Sequence, residues 1–206
     1  MKKNTFPGKF IVFEGPDGSG QSTQSELLKD YLSENGYGVV LTKEPTFESE
    51  PGKEARRMME KEIEFDPKRN QELITQDRQY HLEKTVIPAL KEGKIVISDR
   101  YFFSTFAYGV ASGMDMDWLV EINDDYIYPD LVFLLKVAPD ICVERIVKRG
   151  KKISVFEKEE KLEKILNAYE KLPGRFENIY IVDGEKTIPK VFEQIKDIID
   201  KKLLKK

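Results

Sequence analysis

The chain has 206 residues, enough for one well-packed domain and no reason to expect two. Hydrophobic residues make up 40% and charged residues 34%; the formal net charge of −3 excludes a general nucleic-acid binder, which carries a basic excess, but allows a local basic groove for one small anion. No apolar run approaches the roughly 20 residues that span a bilayer, and Met1 to Thr5 is not followed by the apolar region of a secretory signal, so a cytoplasmic protein without membrane or nucleic-acid partners is expected.

In chain order, Lys9 to Glu14 is a short apolar run ending at glycine, the mark of a buried strand. Ser22 to Glu34 sets Leu27, Leu28, Tyr31 and Leu32 at helical spacing and closes at Gly36. Val39 to Thr42 predicts a second strand. Pro67 to Lys91 predicts one helix that Pro88 bends near its end. Ile95 to Ile97 is a third strand. Tyr101 to Tyr126 reads as mainly helical with a break around Gly113. Leu131 to Leu135 is a fourth strand, followed by a helix over Ala138 to Arg149 that Pro139 starts. Within it the single Cys142 excludes an intramolecular disulfide and, between Ile141 and Val143, reads as a buried structural thiol. Ile179 to Val182 is a fifth strand, and Val191, Phe192, Ile195, Ile198 and Ile199 form the apolar stripe of a last helix.

Short continuous apolar strands separated by helices imply a doubly wound α/β fold: a parallel five-stranded sheet with helices on both faces. Ligands in such folds sit beyond the carboxyl ends of the strands. The first strand runs into Gly15-Pro16-Asp17-Gly18-Ser19-Gly20-Gln21-Ser22-Thr23 and then a helix. This is the phosphate-loop pattern G-x-x-x-x-G-K-[ST] with glutamine for lysine at position 21. Its glycines let backbone N–H groups converge on an anion at a helix start, and Ser22 holds the position whose hydroxyl ligates Mg²⁺. The other reading is a glycine-rich turn without a ligand. Glutamine can donate hydrogen bonds but supplies no charge, so another cation, Lys43, Arg100 or a later basic residue, would have to take over.

Several further motifs stand in register along the chain. Thr42-Lys43-Glu44-Pro45 is followed by Asp77-Arg78, Val86 to Leu90 with Gly93, Asp99-Arg100-Tyr101 with Ser104 and Ala107-Tyr108, then Pro129-Asp130-Leu131, Arg145 with Arg149, Phe156-Glu157 and Val182-Asp183. Together with the loop, this series resembles the thymidylate kinases, P-loop nucleoside-monophosphate kinases, over nearly the whole chain. The resemblance implies a single kinase domain of P-loop NTPase type over residues 1–206, with a basic lid at about 150–156, that transfers phosphate from ATP, with Mg²⁺, to a pyrimidine deoxynucleoside monophosphate, dTMP before others. It also implies a homodimer.

The resemblance implies roles residue by residue. Gly15, Asp17, Gly18, Ser19, Gly20, Gln21, Ser22, Thr23 and Arg145 would bind ATP and its phosphates. Asp17, Lys43, Ile74, Arg78, Arg100, Ser104 and Tyr108 would bind the acceptor, with Arg78 and Arg100 on its phosphate. Ser22 and Asp99 would serve the metal, with Glu14 supporting its water shell. Asp17, Arg100, Arg149 and Lys151 would be catalytic, with Lys152 a further lid candidate. Read without the resemblance, Asp99-Arg100 could be a salt bridge, Arg78 a solvated charge, Tyr101 and Tyr108 packing residues, and His81 a surface or helix-packing residue without a partner. Ile74 stands where the family places an aromatic residue on thymine, and Gly109 where it often places a polar one. A weak nucleotide-binding protein of the same fold, or a kinase of a different nucleotide, is the alternative.

Overall fold

The computed structural model describes residues 1–150 and 155–203, the side chains of 155–158 excepted. After a two-residue strand β1 (Lys2–Lys3), β2 (Lys9–Glu14) leads into α1 (Gln21–Glu34) and β3 (Val39–Lys43). Helices α2 (Glu50–Met59), α3 (Pro67–His81) and α4 (Ile87–Lys91) precede β4 (Ile95–Asp99). Then follow α5 (Phe102–Ala111), α6 (Met116–Glu121), the short β5 (Ile127–Tyr128), β6 (Leu131–Lys136) and α7 (Pro139–Lys148). The chain closes with α8 (Val155–Lys171), β7 (Ile179–Asp183) and α9 (Ile188–Lys202).

The main sheet has the order β3-β4-β2-β6-β7, and each pair in it is parallel. The five strands expected from the apolar runs are these five. Alternate side chains face opposite layers, as the pleat requires. Phe10 and Val12 join the core under α5, α7 and α8, whereas Ile11 and Phe13 meet Leu28 and Leu32 of α1 and Val191, Ile195 and Ile199 of α9. Each such fully buried aliphatic or aromatic side chain contributes about 1.5–3 kcal/mol relative to exposure. Because β4 and β6 flank β2 on opposite sides, the chain reverses direction of winding at β2, which opens a crevice beyond its carboxyl end.

Two helices were not foreseen. In α2 the Ser49 hydroxyl accepts from Gly52 N at 3.0 Å and Pro51 lies in the first turn, a cap-and-proline start carried by a helix with few apolar residues. In α8, Leu162, Ile165, Leu166 and Tyr169 are buried at helical spacing, a stripe legible in the sequence. The expected single helix over 67–91 is also corrected. It is interrupted by a π-helical turn at Leu82–Val86, upstream of Pro88, which therefore falls in the first turn of α4 where no N–H is needed.

Candidate functional site

The phosphate loop joins β2 to α1 at the crevice. Gly15 has φ 151°, and a Cβ there would lie 2.7 Å from Ser19 Oγ and 2.8 Å from the Leu135 carbonyl. Only glycine lets the loop close this tightly. Gly18 has φ 91° and a Cβ there would meet the Cys142 carbonyl at 2.6 Å, so α7 supports the loop from below. Cys142 is fully buried, as expected of a structural thiol, and burial pushes its pKa up to about 12. Ser19 Oγ is buried without a hydrogen-bond partner among the described residues, an unmet donor inside an anion-binding turn. Gln21 is buried and turns inward: its Nε2 donates to the Gly15 carbonyl at 2.7 Å.

Beyond β4, Asp99 and Arg100 diverge. The Ser22 hydroxyl donates to Asp99 Oδ2 at 2.5 Å, and the Lys43 ammonium lies 2.9 Å from the same oxygen. Serine, carboxylate and an attracted cation suit a hard divalent ion that keeps water and takes its remaining oxygens from phosphates. Among the described residues no cluster of three or more His, Cys, Asp or Glu could hold a metal by itself. Lys43, expected among the acceptor ligands, is thus brought to the loop serine and Asp99.

Arg100 has φ 76°, uncommon for a residue with a side chain, and its N–H donates to the Phe13 carbonyl at 2.9 Å. The guanidinium donates to Asp17 Oδ1 at 2.8 Å and to Ser104 Oγ at 3.1 Å and lies 5.2 Å from the centre of the Tyr108 ring. Burial works against its charge, yet Tyr108, Tyr169, Asp17 and Glu14 outweigh that and raise its pKa well above the usual value. Glu14 does not reach the Asp99–Ser22 pair with a hydrogen bond. Its oxygens accept from Tyr101 N, Ser104 N, Ser104 Oγ and Tyr169 OH. Burial pushes its pKa up to about 7, against the opposing pull of Ser104, Arg100, Tyr169 and Tyr101.

Arg78 is no solvated charge. It is 1% exposed, and it donates to Glu44 Oε2 at 2.7 Å, to Thr105 Oγ1 at 3.0 Å and to Asn123 Oδ1. Three of its five N–H donors are thereby used, leaving two for a ligand. His81 corrects the expectation of a partnerless residue: it is buried, with Nδ1 2.9 Å from Glu44 Oε1 and Nε2 2.7 Å from Thr42 Oγ1. Glu44 therefore ties the end of β3 to α3. Tyr101 is fully buried and its hydroxyl donates to the Ile127 carbonyl, as a packing residue would.

Two clefts flank the phosphate loop. The first, about 170 Å³, is bounded by Asp17, Pro45, Ile74, Arg78, Arg100 and Tyr108, with Ser104 alongside. The second, about 300 Å³, is bounded by Gly18, Ser19, Gly20 and Thr23 together with Arg145 and Arg149. Arg145 donates to the Gly184 carbonyl at 3.0 Å and to the Ser19 carbonyl at 3.4 Å, which ties the loop to the end of β7. Lys186 and the exposed Ile188 complete this wall. They were missed in the sequence, where a lysine in a turn and an isoleucine at a helix start carry no signal of a ligand. Lys151, Lys152 and most of the expected lid at 150–156 lie outside the described residues.

The family model for thymidylate kinase matches residues 13–195. A protein named probable thymidylate kinase from Pyrococcus horikoshii is 39% identical over 203 residues, covering 96% of this chain and 98% of the relative. One with the same name from Thermococcus onnurineus is 40% identical over 205 residues, covering 96% and 100%. A thymidylate kinase from Caldicellulosiruptor saccharolyticus is 35% identical over 205 residues, covering 97% and 98%.

Proposed function

The chain belongs to the thymidylate kinase family, and from that membership we propose how its two clefts divide the ATP-dependent phosphorylation of dTMP to dTDP. One observation carries the division: Asp17 and Gly18, adjacent in the phosphate loop, line opposite clefts. The cleft with Gly18, Arg145 and Arg149 takes ATP, and the cleft with Asp17, Ile74 and Arg100 takes the monophosphate. The acceptor is already an anionic phosphate oxygen, so no strong general base is needed. Catalysis is positioning and charge neutralisation.

In this reading the loop N–H groups and Ser19 hold the donor phosphates, while Arg145 and Arg149 lie along the nucleotide. Arg100, braced by Asp17 and Ser104, holds the acceptor phosphate as a planar fork. Ile74 covers the base, and Arg78 meets the acceptor with its two remaining donors. Ser22 and Asp99 would hold Mg²⁺, which when bound neutralises phosphate charge and orients the phosphate oxygens. Lys43, at 2.9 Å from Asp99, brings to the same place the positive charge that Gln21 lacks. Lys151 and Lys152 are kept as lid candidates for the transition state.

A homodimer is the proposed assembly, tested by a light-scattering mass of twice 23.9 kDa. A cytoplasmic location is likewise proposed; no described helix is long and apolar enough to cross a membrane.

The decisive assay couples ADP release to a panel of nucleoside monophosphates with ATP and Mg²⁺. dTMP should give the highest kcat/KM, followed by dUMP. A faster purine monophosphate would overturn the assignment, and ATP binding without ADP release would favour a nucleotide-binding protein without the chemistry.

A further inference from the structure

Two buried titratable side chains stand behind the acceptor cleft and have no part in the reaction. Glu14, at the end of β2, is 1% exposed, and Tyr169, near the end of α8, is 0% exposed. Neither is among the described residues that line the two clefts. α8 packs along α5, which sets the Tyr169 hydroxyl against Ser104 in the first turn of α5. Three oxygens meet there. Ser104 Oγ lies 2.6 Å from Glu14 Oε2 and 2.8 Å from the Tyr169 hydroxyl, which is itself 2.9 Å from the same Glu14 oxygen.

Each side of this triangle needs a proton between its oxygens, and a count of protons decides its state. The serine and tyrosine hydroxyls supply one each. With Glu14 ionised, one side would set two oxygens against each other without a proton at 2.6 to 2.9 Å. A proton on Glu14 Oε2 supplies the third. The triangle then closes as a cycle in which each oxygen donates once and accepts once, while Glu14 Oε1 accepts from Tyr101 N and Ser104 N. Burial favours the same state: it pushes the Glu14 pKa up to about 7 and holds that of Tyr169 well above the usual value.

The cycle leaves Ser104 Oγ one further lone pair, and Arg100 Nη1 donates to it at 3.1 Å. A serine in a helix otherwise turns its hydroxyl to the carbonyl three or four residues back. Engaged in the cycle, the hydroxyl is held from that alternative. It keeps one arm of the Arg100 fork in place while Asp17 holds the other at 2.8 Å. We propose that Tyr169 is a positioning residue: by closing the cycle with Glu14 and Ser104, it orients Arg100 on the acceptor's phosphate from outside the cleft. The inference rests on Arg100 holding that phosphate and adds the contact from α8 that steadies it.

The test uses Tyr169→Phe, which keeps the packed aromatic side chain and removes only the hydroxyl, and Ser104→Ala, which opens the cycle on its other side. Arg100→Ala and the double variant Tyr169→Phe/Arg100→Ala complete the set. Calorimetric titration measures binding of dTMP, of thymidine, which lacks the phosphate, and of ATP. Tyr169→Phe should bind dTMP about fivefold or more weakly with thymidine and ATP unchanged, because a hydrogen bond to a charged group is loosened. Ser104→Ala should show the same phosphate-dependent loss. The double variant should bind dTMP no more weakly than Arg100→Ala alone, since residues acting through one contact are not additive. Unchanged dTMP binding in Tyr169→Phe, an equal loss for thymidine, or a loss that adds in full to that of Arg100→Ala would overturn the inference. The site reading survives those results if the wild type prefers dTMP to thymidine and Arg100→Ala abolishes the preference. A wild type that binds dTMP no more tightly than thymidine would sink that reading and the inference with it.

Discussion

At the scale of single residues, Gln21 is the departure with the plainest chemical meaning. Its amide closes the phosphate loop by donating to the Gly15 carbonyl at 2.7 Å, a bond a lysine ammonium can also make. What glutamine cannot supply is charge where the phosphoryl group moves, and one such preorganised group is worth about 10²–10³ in rate. Gln21→Lys is expected to raise kcat about tenfold or more with the KM for dTMP unchanged. Steady-state kinetics check this, and an unchanged kcat would mean that Lys43 or another cation already carries the load. Glu14 makes a second prediction. Burial raises its pKa from 4.5 to about 7, so the folded state holds a proton that the unfolded chain has released. The stability due to that proton is full below about 4.5 and is lost as pH rises through about 7. The difference, on the order of 3 kcal/mol, should disappear from the pH slope in Glu14→Gln, as urea titrations of both proteins at pH 5 and pH 8 would show.

At the scale of elements, Asp77 decides how α2 and α3 meet. It is fully buried and accepts from Thr46 N, Phe47 N, Ser49 N and the hydroxyls of Thr46 and Ser49, which pins the loop before α2. A Cβ on Gly52 would lie 2.3 Å from Asp77 Oδ1, so the first turn of α2 rests directly on this carboxylate. Asp77→Ala leaves several buried donors unpaired and is expected to cost about 3 kcal/mol or more, read as a lower urea midpoint. Pro45 lies just before this loop and Met59 at the end of α2, and both line the acceptor cleft, so the KM for dTMP should rise with the loss of stability. The π-helical turn at Leu82–Val86 belongs to this scale too. It absorbs the proline that would otherwise break the helix carrying Arg78 and His81.

At the scale of the molecule, the sheet places the loop between two clefts with separate walls. The donor wall comes from α7 and the segment after β7, and the acceptor wall from α3 and α5. Substitutions should therefore separate by substrate. Arg145→Ala removes a cation and the tie between Ser19 and Gly184, and should raise the KM for ATP about tenfold without moving that for dTMP. Ile74→Phe adds a ring face to the opposite wall and should lower the KM for dTMP by about 2- to 10-fold, leaving ATP alone. Two-substrate kinetics on both variants decide this, and a shift in both constants from either one would argue against independent walls.

Much of this protein was legible along the chain because the relevant physics is local. Short apolar runs marked the five strands, and the order Gly15 to Thr23 before a helix marked the loop, since strand burial and glycine geometry depend on near neighbours. Several distinct short motifs in register then carried the family. The partners of Arg78 were not legible, because Glu44, Thr105 and Asn123 lie 34, 27 and 45 residues away. His81 read as partnerless for the same reason. A polar side chain looks alike in sequence whether it faces water or a cavity. Local pattern determined the strands, the loop and their order; only the tertiary structure decided which polar groups are buried and what they face, because burial is set by elements that the chain brings together from far apart.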